Sequence, residues 1–243
     1  MDFTDIAFVL SARRHGESDV ILSCLTREHG RHLGLVRGGA ARKQRATFET
    51  GNALSLTWRA RLSEQLGHFQ AELIEAHIAH LMDDADRLTA LSAAAGVIDA
   101  TLPEREPHQD VYEDFAALIA GLVASVPDWG GLYLRWELKL LADLGFGLDL
   151  RSCAVTGATD GLIFVSPKTG RAVSKAGAGR YAERLLPLPA LLIDDSAVCD
   201  ATALVQGLRL TGHFLHAHLL PTKGAEKRLS ARDRLVERVS PRI

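Results

Sequence analysis

Cysteine is scarce in this chain. Cys24, Cys153 and Cys199 are the three that occur in 243 residues. They are far apart and odd in number, so no disulfide framework is indicated. Cys153 is followed three positions later by Thr156 rather than by a second cysteine. A structural zinc site takes four thiolate or imidazole ligands, and this region supplies one, so no metal is expected. Long apolar runs are missing as well. The longest, Phe115–Val126 (FAALIAGLVASV), is too short to span a bilayer and reads as a buried helix. The N-terminus, MDFTDIAFVL, has two aspartates, no leading cation and only a short apolar patch, which is not the pattern of a signal peptide. A cytoplasmic protein with no membrane partner is expected. Aromatic residues make up only 6%, which leaves few rings for a nucleobase to stack on.

Catalytic signatures are absent too. There is no GxSxG, no GxxxxGK[ST], no HExxH and no DxD pair in a plausible site, so an enzyme reading has nothing to stand on and no cofactor is expected. Two weak matches fail on context. Gly177-Ala-Gly179-Arg-Tyr-Ala182 fits the GxGxxA dinucleotide pattern, with Asp194 and Asp195 downstream. The helix after it can last only to Pro187, and no βαβ unit surrounds it. His213 and His216, with His218 beyond, fall one helical turn apart, but no second ligand group has partnering spacing. They read as a partly exposed helix face, and the same discount applies to His77 and His80.

What is present is an ordinary globular composition, 47% hydrophobic and 24% charged with a net charge of −2, at a length that suits roughly two or three domains. The charge is segregated. Arg27, Arg31, Arg37, Arg42, Lys43 and Arg45 crowd into residues 26–45 against Glu28 alone. Residues 83–128 hold ten acids against Arg87 and Arg105, and residues 223–242 hold seven cations against three acids. Two basic ends therefore flank an acidic middle.

The first eighty residues or so read as β. Ile6–Leu10, Val20–Leu25 and Arg31–Arg37 are short strands, with Gly16 and Glu28-His29-Gly30 at the turns. Leu54, Leu56 and Trp58 alternate with Ser55, Thr57 and Arg59, the half-buried strand pattern. Residues 66–73 supply a fifth strand. Five short strands suggest a small barrel, with the OB-fold the leading nucleic-acid-binding candidate. From about Leu81 the period turns helical. Asp83 or Asp84 can cap a helix to about Thr101, a second runs from about Asp110 to Val126, and a third is Trp129–Leu144, stopped by Gly145 and Gly147. Residues 151–178 look like a β-rich insert with a strand at Leu162–Val165, and helices return at Ala201–Leu219 and Ala225–Val239.

Gly38 and Gly39 open a loop that carries Arg42, Lys43 and Arg45, while Arg13, Arg14, Arg31, Arg37, Arg59 and Arg61 lie on neighbouring segments. Such a cluster can hold a nucleic-acid backbone through counterion release, although a solvated surface would look the same. Phe48, Trp58 and Phe69 are the local stacking candidates, Trp58 reading as core. The C-terminal cations Lys227, Arg228, Arg232, Arg234 and Arg238 could extend this surface or meet the acidic middle.

The chain resembles the RecO family of bacterial recombination mediators nearly end to end. The resemblance rests on AFVLSARRHGESDVILSCLTREHGRHLGLVRGGA, on WELKLLADLGFGLDLRSCAVTG (Trp136–Gly157), on FVSPKTGRAVS (Phe164–Ser174) with LLPLP (Leu185–Pro189), and on LTGHFLHAHLL (Leu210–Leu220). It implies an α+β multidomain protein. An OB-fold domain at 1–80 would be followed by a helical domain at 81–150 and 187–243, with a zinc-finger-like insert at 151–186. Some members carry four zinc cysteines in that insert; here only Cys153 remains, with Thr156 at the next ligand position, so zinc is not carried over. The resemblance further implies binding of single- and double-stranded DNA, annealing of complementary strands, and action with RecR in loading RecA onto strands coated by single-strand-binding protein (SSB), at the nucleoid during repair. The family's basic loop matches Gly38–Arg45. Arg135 and Lys139, one turn apart, could meet the acidic, Phe-ended tail of SSB, or be ordinary exposed helix cations. The expected function is a non-enzymatic DNA-binding mediator. The rivals are an interaction scaffold whose barrel binds no DNA, and a nucleotide-dependent enzyme built on Gly177–Ala182.

Overall fold

Strict alternation of apolar and polar side chains can bury only one face of each strand, and in the N-terminal part those faces turn inward on one another. In the computed structural model, which describes residues 1–194, 196–219 and 229–240, five strands close into a barrel. They are β1 (Asp2–His15), β2 (Asp19–Thr26), β3 (Gly30–Val36), β4 (Ala53–Arg59) and β5 (His68–Glu75). Their order is β1-β2-β3-β5-β4, and β3 meets β5 in parallel while the other pairs are antiparallel. β1 is longer than the five residues its apolar run suggests. Its first half pairs with β4 and its second half with β2, and a bulge between Val9 and Ser11 bends it from one to the other.

Val9, Leu22, Cys24, Leu54 and Leu56 are fully buried at the barrel's centre, joined by Val20, Val36, Phe48, Trp58 and Phe69. Burial, with Asp99 nearby, pushes the Cys24 thiol up, so this cysteine is an inert core residue. Gly34 faces inward where a Cβ would come within 2.5 Å of the Phe69 ring, so only glycine lets that ring fill the barrel. The basic segment after β3 is not the open loop expected. Residues Arg42–Arg45 form one helical turn, α1, followed by a 3₁₀ turn that ends on buried Phe48. That anchor, not glycine flexibility, sets how its cations are presented.

Asp84 caps α2 (Ala85–Thr101) by accepting from the N–H groups of Asp86 (3.2 Å) and Arg87 (3.1 Å). Ala90, Ala93, Ala94 and Val97 of α2 are buried, and the helix packs on β1. α3 (Gln109–Val123) buries Phe115, Leu118, Ile119 and Leu122; Phe115 meets Phe8 edge-on at 5.6 Å. It stops short of Val126 because Ser125 takes a left-handed φ of 56°.

The chain forms two compact units, the first built on residues 1–125 and the second on residues 126–219. The boundary at 80 lies inside the first unit, since α2 packs on β1. In the second, α4 (Trp129–Asp143) and α6 (Ala201–Leu219) pack together. Buried Glu137 on α4 accepts from the hydroxyls of Tyr133 (3.2 Å) and Thr211. Between these helices in sequence lie β6 (Leu162–Val165), β7 (Ala172–Ser174), the one-turn helix α5 (Lys175–Ala178) and β8 (Leu186–Pro187). The strands form a sheet of order β7-β6-β8. The last helix, α7, is Ser230–Val239. Arg232 and Leu235 are buried there, and Arg234 and Arg238 are exposed. Lys227 and Arg228 lie outside the described residues. No helix among the described residues is long and apolar enough to cross a membrane.

Candidate nucleic-acid interface

Strand register puts the outward side chains of all five strands into one row. Arg13 on β1 lies opposite Ile21 on β2, Ile21 opposite Leu35 on β3, Leu35 beside His68 on β5, and His68 opposite Arg59 on β4. Arg13, His68 and Arg59 are exposed, and Ile21 and Leu35 are half-buried. Part of this face is hollow. A groove of about 430 Å³ is lined by Leu35, Arg37, Thr57, Arg59, His68, Phe69 and Gln70. Its floor is apolar at Leu35, its walls carry two guanidinium groups, and Thr57, His68 and Gln70 add hydrogen-bonding groups. Such a lining sets apolar surface beside charged donors suited to an anion.

A second, smaller groove of about 240 Å³ is lined by Ala12, Arg14, Val20, Gly39, Ala40, Arg45, Phe48, Glu49 and Thr50. Arg14 and Arg13 thus sit on opposite faces of β1, as alternation requires. Arg14 donates to the Glu17 carbonyl (3.1 Å) and Arg45 to the Ala40 carbonyl (3.3 Å), which orients both. Asp19 accepts from the Gly38 N–H (2.9 Å), tying the basic segment back to the β1–β2 turn. That bond, together with the one from Ser18, holds the Asp19 carboxyl below the usual carboxylate range. Arg42 and Lys43 are exposed on α1, and Arg61 is exposed in the loop after β4. Arg105 fastens that loop by donating to the carbonyls of Ser63 and Gln65, the latter at 2.8 Å.

Arg31 does not join them. It is 7% exposed. Its Nη1 lies 3.3 Å from Asp99, its Nη2 lies 3.5 Å from Glu104, and its Nε donates to the Leu102 carbonyl at 2.8 Å. The expectation that Arg31 contacts DNA is corrected on this ground, since its charge is neutralised inside the protein. Of the stacking candidates, Phe48 and Phe69 are corrected likewise, while Trp58 is core as its alternation indicated; each is 4% exposed. His68 and Gln70 were missed from sequence, although their alternation with buried Phe69 in β5 was there to be read.

In the second unit, Arg135 on α4 donates to Asp128 (2.9 Å), and the Asp128 carboxylate also caps the helix by accepting from the Gly131 N–H (3.0 Å). Lys139 is exposed one turn on. His213 donates to the Pro167 carbonyl (3.1 Å) and His216 is exposed. Among the described residues no group of three or more His, Cys, Asp or Glu side chains is placed to hold a metal. At the Gly177–Ala182 pattern the helix lasts one turn, and its Gly177 N–H is bound by Ser174 Oγ (3.1 Å). Phosphate is offered no helix N-terminus of useful length there. Asp195 and the side chain of His218 lie outside the described residues.

A closed five-stranded barrel of this strand order, with a cation-walled groove on its outer face, defines an OB-like barrel protein. The chain belongs to the RecO family: residues 1–77 match the family described as Recombination protein O N terminal, and residues 82–226 match Recombination protein O C terminal. It is 50% identical over 240 residues to the DNA repair protein RecO of Rhodospirillum centenum, covering 98% of this chain and 94% of that protein. It is 46% identical over 237 residues to the DNA repair protein RecO of Cereibacter sphaeroides strain KD131, covering 98% of each. Against the protein of the same description from a Ruegeria species it is 43% identical over 243 residues, the full length of both.

Proposed function

We propose that this chain is a DNA repair and recombination mediator that works without catalysis. It binds single- and double-stranded DNA, lets complementary strands pair and, with RecR, helps load RecA onto strands coated by SSB. It does so in the cytoplasm, at the nucleoid during repair. The observation that carries this reading is the groove between Arg37 and Arg59 on the barrel of a RecO-family chain. Phosphates are taken by Arg37 and Arg59, and along the flanking surface by Arg13, Arg14, Arg42, Lys43, Arg45 and Arg61. Each phosphate neutralised releases condensed counterions. With the phosphates screened, two strands approach closely enough to pair. With the local rings buried in the core, the grip is on backbone and carries little sequence preference. In this reading the barrel at 1–80 is the DNA-binding domain. The helical part at 81–150 and 187–243 recruits proteins, and the insert at 151–186 keeps a zinc-finger-like outline without the ligands.

Fluorescence anisotropy of labelled single-stranded DNA across a salt series tests the DNA reading. For about five phosphates, log K falls with log salt at a slope of roughly −3.5. Arg37→Ala/Arg59→Ala should flatten that slope by about 1.4, and Arg42→Ala/Lys43→Ala/Arg45→Ala by about 2.1. A wild type that does not bind at low salt would sink the DNA reading and leave the scaffold; unchanged slopes in both variants would move the site off these residues. Arg135 and Lys139 are proposed to receive the acidic, Phe-ended SSB tail, displacing Asp128 from Arg135. A labelled acidic peptide ending in Phe should lose at least tenfold in affinity, about 1.4 kcal/mol, with Arg135→Ala/Lys139→Ala. Equal binding by both proteins would place that contact elsewhere.

A further inference from the structure

Two tight turns in the second unit point at one spot, and the chemistry gathered there is unusual. The first turn runs Cys153-Ala-Val-Thr156, and the second, Ser174-Lys-Ala-Gly177, begins where β7 ends and α5 starts. Each turn folds its later N–H groups back onto its first side chain. Cys153 Sγ accepts from the N–H of Val155 and of Thr156, both at 3.4 Å, and Ser174 Oγ accepts from the N–H of Gly177 at 3.1 Å. The turns are then joined across the gap. Ser174 donates to Cys153 Sγ from both its backbone N–H (3.2 Å) and its hydroxyl (3.3 Å), and Thr156 Oγ1 lies 3.5 Å from Ser174 Oγ. A Cβ on Gly177 would stand 2.8 Å from the same sulfur, so the fourth position also converges. Cys153 is 2% exposed and Ser174 is 4% exposed.

Paired turns with side chains three positions apart, each first ligand accepting N–H groups from its own turn, are how four cysteines are brought onto one zinc ion. The residues here do not fit that ion. One thiol, two neutral hydroxyls and a glycine lack the charge and the donors that zinc requires. The spacing agrees. A zinc tetrathiolate with bonds of about 2.3 Å has sulfurs roughly 3.8 Å apart, whereas Sγ and Oγ of Cys153 and Ser174 are 3.3 Å apart and bond each other directly. We propose that this chain fastens its insert with a metal-free polar cluster. The sulfur of Cys153 is the acceptor hub for donors from both turns, at the locus a four-cysteine ion would fill, and the fold requires no metal.

Three measurements on the full chain test this. Purified protein should carry well under one zinc per chain and melt at the same temperature with and without EDTA or 1,10-phenanthroline. One zinc per chain, removed by the chelator with a fall in melting temperature, would overturn the proposal. Thr156→Cys/Ser174→Cys/Gly177→Cys, refolded with Co²⁺, should bind one ion beyond the wild type, with the visible bands of a tetrahedral thiolate complex. A variant that folds by circular dichroism yet shows no such bands would overturn the convergence of the two turns. Should that variant not fold, Cys153→Ala still decides. Hydrogen exchange at the amides of Val155, Thr156 and Ser174 should speed at least tenfold, while exchange at barrel amides is unchanged. Unaltered protection at those amides would remove the sulfur as hub.

Discussion

Arg31→Ala should destabilise the barrel-bearing unit by about 3 kcal/mol, seen as a fall in the urea midpoint at unchanged slope, while the salt slope of DNA binding stays that of the wild type. The guanidinium is buried, and it faces an Asp99 side chain that is 19% exposed. Asp99 accepts from the hydroxyls of Ser11 (3.0 Å) and Ser23 (2.6 Å) as well, so it joins β1, β2 and β3 to α2. Removing Arg31 takes a buried cation away from that carboxylate and the Nε donor away from the Leu102 carbonyl. The penalty is the desolvation of groups held largely away from water, more than the loss of an attractive pair. Glu104, at 44% exposure, adds little because solvent screens it. Arg31→Met combined with Asp99→Leu should recover only part of the loss: it removes both charges of that pair, but the Ser11 and Ser23 hydroxyls lose their acceptor and the Leu102 carbonyl still lacks its donor. A stable Arg31→Ala protein that had lost DNA affinity would return Arg31 to the DNA surface.

Arg31 also shows where sequence reading runs out. The cations of residues 26–45 can be counted, but nothing local says that one of them will meet a carboxylate 68 residues away. Local period and caps were legible. Leu54, Leu56 and Trp58 point inward as their alternation requires. Asp84 caps α2, and α6 runs from Ala201 to Leu219 as its apolar spacing suggests. β1 runs past Leu10, where its apolar run ends, because Arg13-Arg14-His15 belong to the half of a bent strand that pairs with β2. Leu35 lines the groove because strand register sets it beside His68, a pairing that no local pattern shows. The single thiol of the insert was evident from Thr156 at the next ligand position. Ser174 and Gly177 were not, because a serine and a glycine carry no signal until the other turn is placed against them.

The stability contributed by Cys153 should depend on pH in a direction that distinguishes a charged hub from a neutral one. Burial raises a thiol, and at Cys199 burial beside Asp128 and Asp200 takes it up to about 11. At Cys153 burial acts the same way but is outweighed. Hydrogen bonds from the hydroxyl and N–H of Ser174, and from Thr156, bring the thiol down to about 6 from its ordinary 9.0. An acid depressed by folding stabilises the fold in its ionised form. That contribution is complete above the unfolded value near 9, shrinks as the pH falls, and is gone once the thiolate is protonated below about 6. The gap in melting temperature between wild type and Cys153→Ala should therefore be widest at pH 9 and above, and narrow steadily toward pH 6. Thermal unfolding of both proteins across that window measures it, and subtracting one curve from the other removes the titrations they share. A gap of constant size would mean that the sulfur stays protonated and that its donors grip a neutral thiol. A closing gap identifies a thiolate held by backbone and hydroxyl dipoles in place of a cation. Such an anion needs the N–H groups of two turns in register, so anything that parts the turns should raise the thiol and weaken the insert together.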